Sequence, residues 1–261
     1  QSVRRDKALM VDIRKIWDDN RQVYGAKKVW EAFKKANRFD VARCTVERLM
    51  RSMGLRGVVR GKTIKTTFPS SKDKRPEDLV NRNFTATKPN QLWVADFTYV
   101  STWQGFVYFA FIVDVFSRMI VGWKASRSMK TDFTLDALNQ ALWARHVVDG
   151  LIHHSDRGSQ YLSFRYSERL TESGIEPSVG SKGDSYDNAM AETINGLYKA
   201  EVIHRRSSWR TIEQVELETL DWVDWYNNRR LMEPLGYVSP VEFESMYYEQ
   251  EEGSAVAAGL N

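Results

Sequence analysis

Residues 91–100, QLWVADFTYV, decide the fold of this chain. Apolar side chains fill both alternating faces of the stretch, as in a central strand that is covered on each side. Short turns lead from it into 106–115 and then 118–125, which predicts an antiparallel meander of three strands. Asp96 lies in the middle of the first strand, where a carboxylate without a partner is costly. We therefore expect a cation, a metal or a cluster of hydrogen-bond donors beside Asp96.

The segments after the meander alternate between helix and strand. Periodicity predicts, in order, a helix over 131–148, a buried strand over 151–154, a helix over 160–173 and a strand over 175–179. A loop rich in Gly, Ser and Lys then enters a helix within GSKGDSYDNAMAETINGLYK, residues 180–199. The order β-β-β-α-β-α-β-α predicts an α/β fold, a mixed five-stranded sheet with helices on its faces.

Residues 6–55 form an all-helical pattern upstream of the sheet. Apolar positions recur at helical spacing in three short segments, the last from Cys44 to Met53 with Thr45 as its N-cap and Gly54 as its stop. Three arginines lie on the outer face of this last helix: Arg43, Arg48 and Arg51. The pattern fits a helix-turn-helix DNA-binding unit and a generic three-helix bundle with a solvated basic face equally well.

Residues 56–90 have the composition of a linker. They hold nine Lys or Arg against three Asp or Glu, together with three prolines and few large apolar residues. The basic candidates for DNA contact in this segment are Arg60, Lys62 and Lys65. Such a segment can follow a phosphate backbone through salt-dependent contacts, or it can serve simply as a tether.

The pattern of the last segment, 206–261, predicts a helix over 211–226, a short helix over 240–248 and a frayed tail.

Three tryptophans elsewhere in the chain are expected to pack in the core or on the sheet instead of stacking on bases: Trp93, Trp103 and Trp123. This leaves the polar and charged side chains as the candidates for function.

The composition excludes several classes of protein. A net charge of +4 and a pI near 9.0 favour a polyanionic partner, although weakly. The single cysteine, Cys44, excludes an internal disulfide framework and fits a reducing cytosol. The longest apolar run, 106–116, contains an aspartate and is too short to cross a bilayer, so no membrane partner is expected. Because the chain opens on Gln1, we expect it to be the downstream part of a longer product or a trimmed one.

Three acids from three elements are predicted to converge. Asp156 follows the carboxyl end of its strand, Asp96 lies in a central strand, and Glu192 lies on the helix that packs back onto the sheet. At about 4 Å and an effective dielectric constant of about 20, two such charges repel by about 4 kcal/mol. A cluster of this kind persists if it holds hard divalent cations, which support in-line phosphoryl transfer. The alternative is three unrelated acids.

The helix that carries Glu192 has a polar face. Asn188, Glu192, Asn195 and Lys199 are spaced by four, three and four residues, so they share one side of the helix. Lys199 lies two turns past Glu192, from where it could reach a scissile or flanking phosphate. The alternative is an ordinary solvated face.

The complete pattern resembles a known family. Thirty-five residues separate Asp156 from Glu192, and Lys199 follows the glutamate by seven. This spacing resembles the DD(35)E motif of retroviral-integrase-like transposases, which have an RNase H-like core. The phrases WVADFTYV, FSRMIVGW, HHSDRGSQY, GIEPSVGSKGDSYDNAMAE and NGLYKAE resemble the bacterial transposases of the insertion sequence three family. The resemblance extends from YGAKKVW and CTVERLMRSMGL to the C-terminal YNNRR, which is nearly the whole chain.

The resemblance implies a catalytic site. Asp96, Asp156 and Glu192 would be metal-binding catalytic acids, holding Mg²⁺ or Mn²⁺, with two ions per site. Asn195 and Lys199 would face DNA near the scissile bond. The family's mobile loop and helix start beside the site would comprise Ser181, Lys182, Gly183, Asp184, Ser185, Tyr186 and Asn188. The sequence fits two roles for Arg157 equally well, a phosphate contact and an ordinary surface residue.

The resemblance also implies partners and a domain plan. The partners would be double-stranded DNA, as the terminal inverted repeats of the element and as the target, with a homo-oligomer assembled on it. The family's enzyme is usually a frameshift fusion, so an upstream-frame partner is expected, in the bacterial cytoplasm at the nucleoid. The expected division is a helix-turn-helix domain at 1–55, a basic linker at 56–90, a catalytic core at 91–205 and a C-terminal extension at 206–261.

Other functions remain in competition with transposition. Another RNase H-like nuclease or a resolvase would cleave without joining, and the helix-turn-helix pattern and basic linker disfavour it. A DNA-binding regulator with an inactive core would lack one of the acids, and all three are present. A glycosidase carboxylate pair accounts for neither the basic segments nor the third acid.

Overall fold

The computed structural model describes residues 2–36, 41–61, 79–80, 84–145, 150–156, 160–180 and 189–259. Three helices come first, at Ser2–Asp19 (α1), Ala26–Lys35 (α2) and Arg43–Ser52 (α3). A five-stranded sheet follows with its helices, and two further helices end the chain at Ile212–Asn228 (α7) and Pro240–Gly259 (α8). None of the described helices combines the length and the apolar character needed to cross a lipid bilayer.

The sheet is mixed, as the sequence predicts. Its first three strands form the antiparallel meander: Leu92–Thr102 (β1), Gly105–Asp114 (β2) and Ile120–Ser126 (β3). Two short strands run parallel to β1, at Ile152–Ser155 (β4) and Glu176–Val179 (β5), and the strand order is β3-β2-β1-β4-β5. Because β4 pairs with Leu92–Ala95 alone, the half of β1 that begins at Asp96 has β2 as its neighbour on one side and no paired strand among the described residues on the other.

Helices cover both faces of the sheet. The helices Asp132–Arg145 (α4) and Phe164–Glu172 (α5) enclose one core layer, in which Trp93 is fully buried. The helix Ala189–Glu201 (α6) and α7 enclose the other, in which Phe111, Tyr198 and Trp222 make aromatic contacts. Close packing of α4 on β3 requires a glycine, because a Cβ on Gly122 would overlap a carbonyl oxygen of α4.

Several local predictions were wrong in detail. The last helix continues to Gly259 instead of ending near 248. Helix α5 begins at Phe164 because Ser163 caps it, its hydroxyl accepting the Tyr166 N–H at 3.4 Å. Thr45 lies inside α3, whose N-cap is Ala42 without a side-chain hydrogen bond. Residues 146–149, part of the predicted helix 131–148, lie outside the described residues.

Trp103 is the clearest correction. It was expected to pack in the core or on the sheet, yet it lies in the turn between β1 and β2 with 70% of its surface exposed. Trp93 is buried as predicted, and Trp123 is partly buried against the core. The period-two pattern that buries β1 does not extend into a turn, which explains the difference.

The N-terminal helices dock on the C-terminal segment. Ion pairs join them at three places: Arg21 with Glu218, Lys27 with Glu233 and Lys35 with Glu242. The buried hydroxyl of Tyr24 accepts the N–H of Leu231 at 2.7 Å and donates to the carbonyl of Arg229 at 3.3 Å. The three-helix unit is therefore held by ion pairs and hydrogen bonds to residues 218–242, which are far from it in the sequence.

A buried ion pair fixes the end of α6. The guanidinium of Arg230 binds Glu201 at 2.5 Å, with the two side chains 7% and 3% exposed. The indole N–H of Trp222 donates to the same carboxylate at 3.0 Å. Since Glu201 is the last residue of α6, this pair holds that helix to the segment after α7.

Candidate active site

Asp96 is partly buried in β1 and has two donors. One carboxylate oxygen accepts the N–H of Phe97 at 2.8 Å, and the other accepts the side-chain amide N–H of Asn195 at 2.8 Å. Burial raises the pKa of Asp96 well above its usual range, the charge of Asp156 raises it further, and Glu192 contributes a smaller rise. Of the partners that the sequence leaves open for this carboxylate, a cation, a metal or a cluster of donors, the described residues supply two hydrogen-bond donors.

Strand register brings Asp156 beside Asp96. The parallel pairing of β1 with β4 sets Ala95 opposite Ser155. Asp96 and Asp156 are the residues that directly follow this pair, so they lie side by side. Neighbouring strands lie about 4.8 Å apart. One carboxylate within β1 thus lies beside another that directly follows the end of β4, and a cation would relieve their mutual repulsion.

Glu192 lies on the first turn of α6 and is exposed. The helix packs on β1 and β2 through Met190, Ile194 and Tyr198, which keeps the glutamate near enough to raise the pKa of Asp96. Over the described parts of the chain, no three His, Cys, Asp or Glu side chains are placed together so that they could hold a metal ion. The structure therefore brings the two aspartates together and leaves the glutamate at the rim.

The donor chemistry of the three acids fits a hard divalent cation. Mg²⁺ takes oxygen ligands, usually one or two carboxylates with water and substrate phosphates completing the shell. Asp96 and Asp156 supply two carboxylates on adjacent strands, and Glu192 is the third acid on the helix that covers them. Burial and the charge of Asp156 both disfavour the ionised form of Asp96, so a cation bound here would lower its pKa.

Asn195 and Lys199 have different surroundings on α6. Asn195 is 8% exposed and bonds Asp96, so its position supports the carboxylate and does not support the expected DNA contact. Lys199 is partly buried with its ammonium 5.4 Å from the centre of the Tyr99 ring. Burial lowers its pKa, while the negative charge of Asp96 opposes that change.

One residue of the predicted linker also reaches α6. The guanidinium of Arg60 lies against Gly196, where an added Cβ would overlap it. Arg60 thus contacts the helix residue that comes directly after Asn195. The other linker candidates, Lys62 and Lys65, lie outside the described residues.

The arginines of α3 are exposed, as predicted. Arg48 binds Asp6 of α1 at 2.8 Å, and Arg51 lies 3.5 Å from Glu47, one turn earlier on the same helix. Arg43 is exposed at the first position of α3. Two of the three cations thus have an acidic neighbour on the surface.

The remaining predicted contacts fall outside the described residues. These are Arg157, the loop residues Ser181, Lys182, Gly183, Asp184, Ser185 and Tyr186, and Asn188 at the helix start. Their roles stay predictions.

Sequence reasoning missed Tyr161. Its hydroxyl is buried and has no hydrogen-bond partner among the described residues, and the charges of Asp96 and Asp156 add to the burial that raises its pKa. The Tyr161 ring packs against Phe97, the residue after Asp96, with ring centroids 6.2 Å apart. Its place five residues after Asp156 was the only signal in the sequence, and an aromatic residue at that spacing usually indicates core packing.

Family models match most of the chain. A model described as an HTH-like domain matches residues 4–63, and two models described as an integrase core domain match residues 86–185 and 173–240. The first agrees with the three N-terminal helices, and the others cover the sheet and its helices.

Named relatives match over nearly the full length. The transposase for insertion sequence element IS629 of Shigella sonnei is 60% identical over 94% of this chain and 81% of its own. The putative transposase for insertion sequence element IS986/IS6110 of Mycobacterium tuberculosis is 53% identical over 96% of this chain and 92% of its own. The transposase for insertion sequence element IS904 of Lactococcus lactis is 35% identical over 94% and 96%.

Among solved structures, the HTLV-2 integrase catalytic core domain in complex with magnesium is similar at a TM-score of 0.47. The identity is 18%, over 61% of this chain and 99% of that chain. A similarity at this level is too weak to transfer any feature of that site.

Proposed function

The chain belongs to the insertion sequence three family of transposases, and on that premise we propose that Asp96, Asp156 and Glu192 are the acids with which it cleaves and joins DNA strands at the ends of its own element. The observation that carries the proposal is the register of β1 and β4, which sets Asp96 beside Asp156 under the helix that bears Glu192. No other feature of the described fold requires two carboxylates at that place.

Each acid has a role in the proposal. Asp96 and Asp156 would hold a divalent cation, Mg²⁺ or Mn²⁺, and Glu192 would complete a site for two ions from the rim. The cations, when bound, would supply activation of a water or a 3′-hydroxyl and stabilisation of the leaving oxygen of the phosphodiester. Asn195 keeps Asp96 oriented through its hydrogen bond.

The DNA contacts proposed around the site rest on charge and on the family resemblance. Lys199 is the phosphate contact on α6, and Arg60, which lies against Gly196 of the same helix, is another. Arg43, Arg48 and Arg51 contact DNA from α3, where Arg48 would exchange Asp6 for a phosphate. The resemblance adds further contacts: Lys62, Lys65, Arg157, Ser181, Lys182, Tyr186 and Asn188.

The proposal extends to organisation and partners. The divisions proposed are 1–55, 56–90, 91–205 and 206–261, in the order helix-turn-helix domain, linker, catalytic core and extension. The DNA partners are the terminal inverted repeats and the target, bound by a homo-oligomer, with an upstream-frame segment as a further partner. The place of action is the bacterial cytoplasm, at the nucleoid.

The test is a strand-transfer assay with the full chain and labelled element-end DNA. We expect 3′-end cleavage and joined products with Mg²⁺ or Mn²⁺, and loss of both with EDTA. Asp96→Asn, Asp156→Asn and Glu192→Gln should each abolish both steps, and the two aspartate variants should also weaken Mn²⁺ binding measured by electron paramagnetic resonance. Cleaved but unjoined products would indicate a nuclease instead.

A matched control separates chemistry from folding. Glu176→Gln removes an exposed carboxylate at the start of β5 and should leave cleavage and joining unchanged. Strand transfer that survives Glu192→Gln would remove Glu192 from the site. Mn²⁺ binding that is unchanged in both aspartate variants would refute the metal assignment.

A further inference from the structure

Three aromatic side chains lie exposed at the β1–β2 hairpin. Trp103 is 70% exposed, Phe106 55% and Tyr99 45%. The rings of Tyr99 and Phe106 meet edge to face with centroids 5.4 Å apart, and Trp103 lies at the turn. We name these three residues the hairpin strip. Exposed aromatic groups held together in this way usually mark a binding surface.

Cations accompany the hairpin strip. The ammonium of Lys199 lies 5.4 Å from the centre of the Tyr99 ring, and the guanidinium of Arg210 lies 5.2 Å from that of Trp103. The N–H of Trp103 donates to the carbonyl of Trp209 at 2.9 Å, which fixes Arg210 beside the hairpin. Aromatic faces next to positive charge are the two elements of a surface for unpaired nucleic acid, where bases stack and phosphates are neutralised.

The hairpin strip lies on the opposite face of β1 from Asp96, and Lys199 links the two surfaces across the edge of the strand. Tyr99 lies three residues past Asp96 on β1, about 10 Å along the strand, and Trp103 lies about 13 Å further on. Tyr99 belongs to the half of β1 that β4 does not pair with, so Lys199 reaches its ring from α6 around that edge. Lys199 therefore belongs to both the hairpin strip and the candidate active site, because the charge of Asp96 also acts on its ammonium and raises its pKa.

We propose that the hairpin strip binds an unpaired DNA strand, with bases stacked on Tyr99 and Trp103 and phosphates held by Lys199 and Arg210. A duplex hides the faces of its bases, so only unpaired nucleotides can use these rings. At about 3.4 Å per stacked nucleotide, the distance from Tyr99 to Trp103 accommodates about four nucleotides. The unpaired strand would come from the DNA end that is opened beside the cleavage site. Only this source of the strand rests on the proposed function.

Charge argues for nucleic acid over a protein partner. Lysine is depleted at the centres of protein interfaces, whereas here Lys199 lies over the Tyr99 ring. Arg210 and the three rings do not discriminate between the two kinds of partner, because arginine and aromatic residues are enriched at such interfaces. A polyanion satisfies both cations and stacks on the aromatic groups at the same time.

The test uses the full chain with EDTA present, so that no cleavage occurs. Fluorescence anisotropy measures binding of a labelled twelve-nucleotide thymidine strand and of a blunt duplex of element-end sequence. We expect Trp103→Ala and Tyr99→Ala each to weaken binding of the single strand about tenfold, with Trp103→Phe restoring most of it. Arg210→Ala should lower the salt dependence of binding by about one phosphate contact. Trp143→Ala is the matched control, since Trp143 is 80% exposed on α4 and away from the hairpin strip.

The outcomes are distinguishable. Unchanged single-strand binding in Trp103→Ala overturns the proposal, as does an equal loss for the blunt duplex, which would mean a backbone contact without stacking. A loss of self-association in sedimentation, with DNA binding intact, would also overturn it in favour of an interface between copies. Asp96→Asn should lose cleavage in the strand-transfer assay with Mg²⁺ and should keep single-strand binding in the EDTA assay. If the wild type fails to cleave with Mg²⁺ while its binding in EDTA still depends on Trp103, the proposed function fails and this inference stands.

Discussion

The buried pair of Glu201 and Arg230 gives the sharpest test of the packing around α6. Glu201→Ala leaves the guanidinium of Arg230, 7% exposed, without its carboxylate, and it also removes the acceptor of the Trp222 indole. Breaking a buried pair in this way costs about 3–5 kcal/mol. For a chain of this size each kcal/mol corresponds to about 2–4 °C, so the midpoint of thermal unfolding should fall by about 10 °C.

Replacing both partners should behave differently. Glu201→Leu combined with Arg230→Met removes both buried charges and fills the space with apolar groups, so the free energy of unfolding should return to within about 1–2 kcal/mol of the wild type. It also removes, together, the repulsion of Arg230 and the attraction of Glu201 that act on the ammonium of Lys28. The single and double variants are therefore expected to be strongly non-additive.

Urea unfolding followed by tryptophan fluorescence measures these differences, with an unchanged dependence on urea as the check that the same transition is observed. The control is the neighbouring exposed pair of Arg229 and Asp224, 3.5 Å apart with side chains 59% and 62% exposed. Asp224→Ala should cost less than about 1 kcal/mol. A Glu201→Ala variant no less stable than Asp224→Ala, or a double variant as unstable as the sum of its singles, would refute the reasoning.

Three further predictions concern packing, pH and the candidate site. Gly122→Ala should destabilise the fold by about 1–3 kcal/mol, because its Cβ would overlap a backbone carbonyl oxygen. Gly253→Ala on α8 has open space around the added Cβ and should stabilise the fold slightly. Thermal unfolding measures both variants, and equal effects would contradict the packing argument. Burial lowers the pKa of Lys28 to about 7, so between pH 7 and about 10 the unfolded chain binds a proton that the folded chain does not. The free energy of unfolding should therefore rise with pH over this range. Lys28→Met should flatten that rise in urea titrations at pH 7 and 9, and an unflattened rise would exclude Lys28 as its source. Asn195→Ala should weaken Mn²⁺ binding about tenfold or more by freeing the Asp96 carboxylate, and undiminished binding would show that the hydrogen bond does not position it.

The order of strands and helices was predictable because it depends on local patterns. Within the stretch 91–100, residues 92–95 show the both-face burial of a central strand whereas Tyr99 is exposed, and short turns join β1 to β2 and β2 to β3 in an antiparallel meander. Ends of helices were less predictable. Helix α8 runs beyond 248 through acidic and small residues with no apolar stripe, so periodicity gave no reason to extend it.

The candidate site was predictable in part for the same reason. A carboxylate within a buried strand and another just past a strand end indicate a site at that edge of the sheet, and the register confirms that Asp96 and Asp156 are neighbours. The partners of a side chain are not encoded locally. Asn195 looked like one more residue of a polar helix face, and its bond to Asp96 depends on how α6 lies on the sheet.

Docking of the N-terminal helices on the C-terminal segment has a consequence for how such elements evolve. Each of the three ion pairs takes its cation from the first 35 residues and its carboxylate from beyond residue 217, and Tyr24 bonds the backbone after α7. A recombination event that replaced the coding segment of the first three helices with that of a distant element would separate every one of these partners. The two segments are therefore expected to be inherited together, and the first three helices are not a freely exchangeable module.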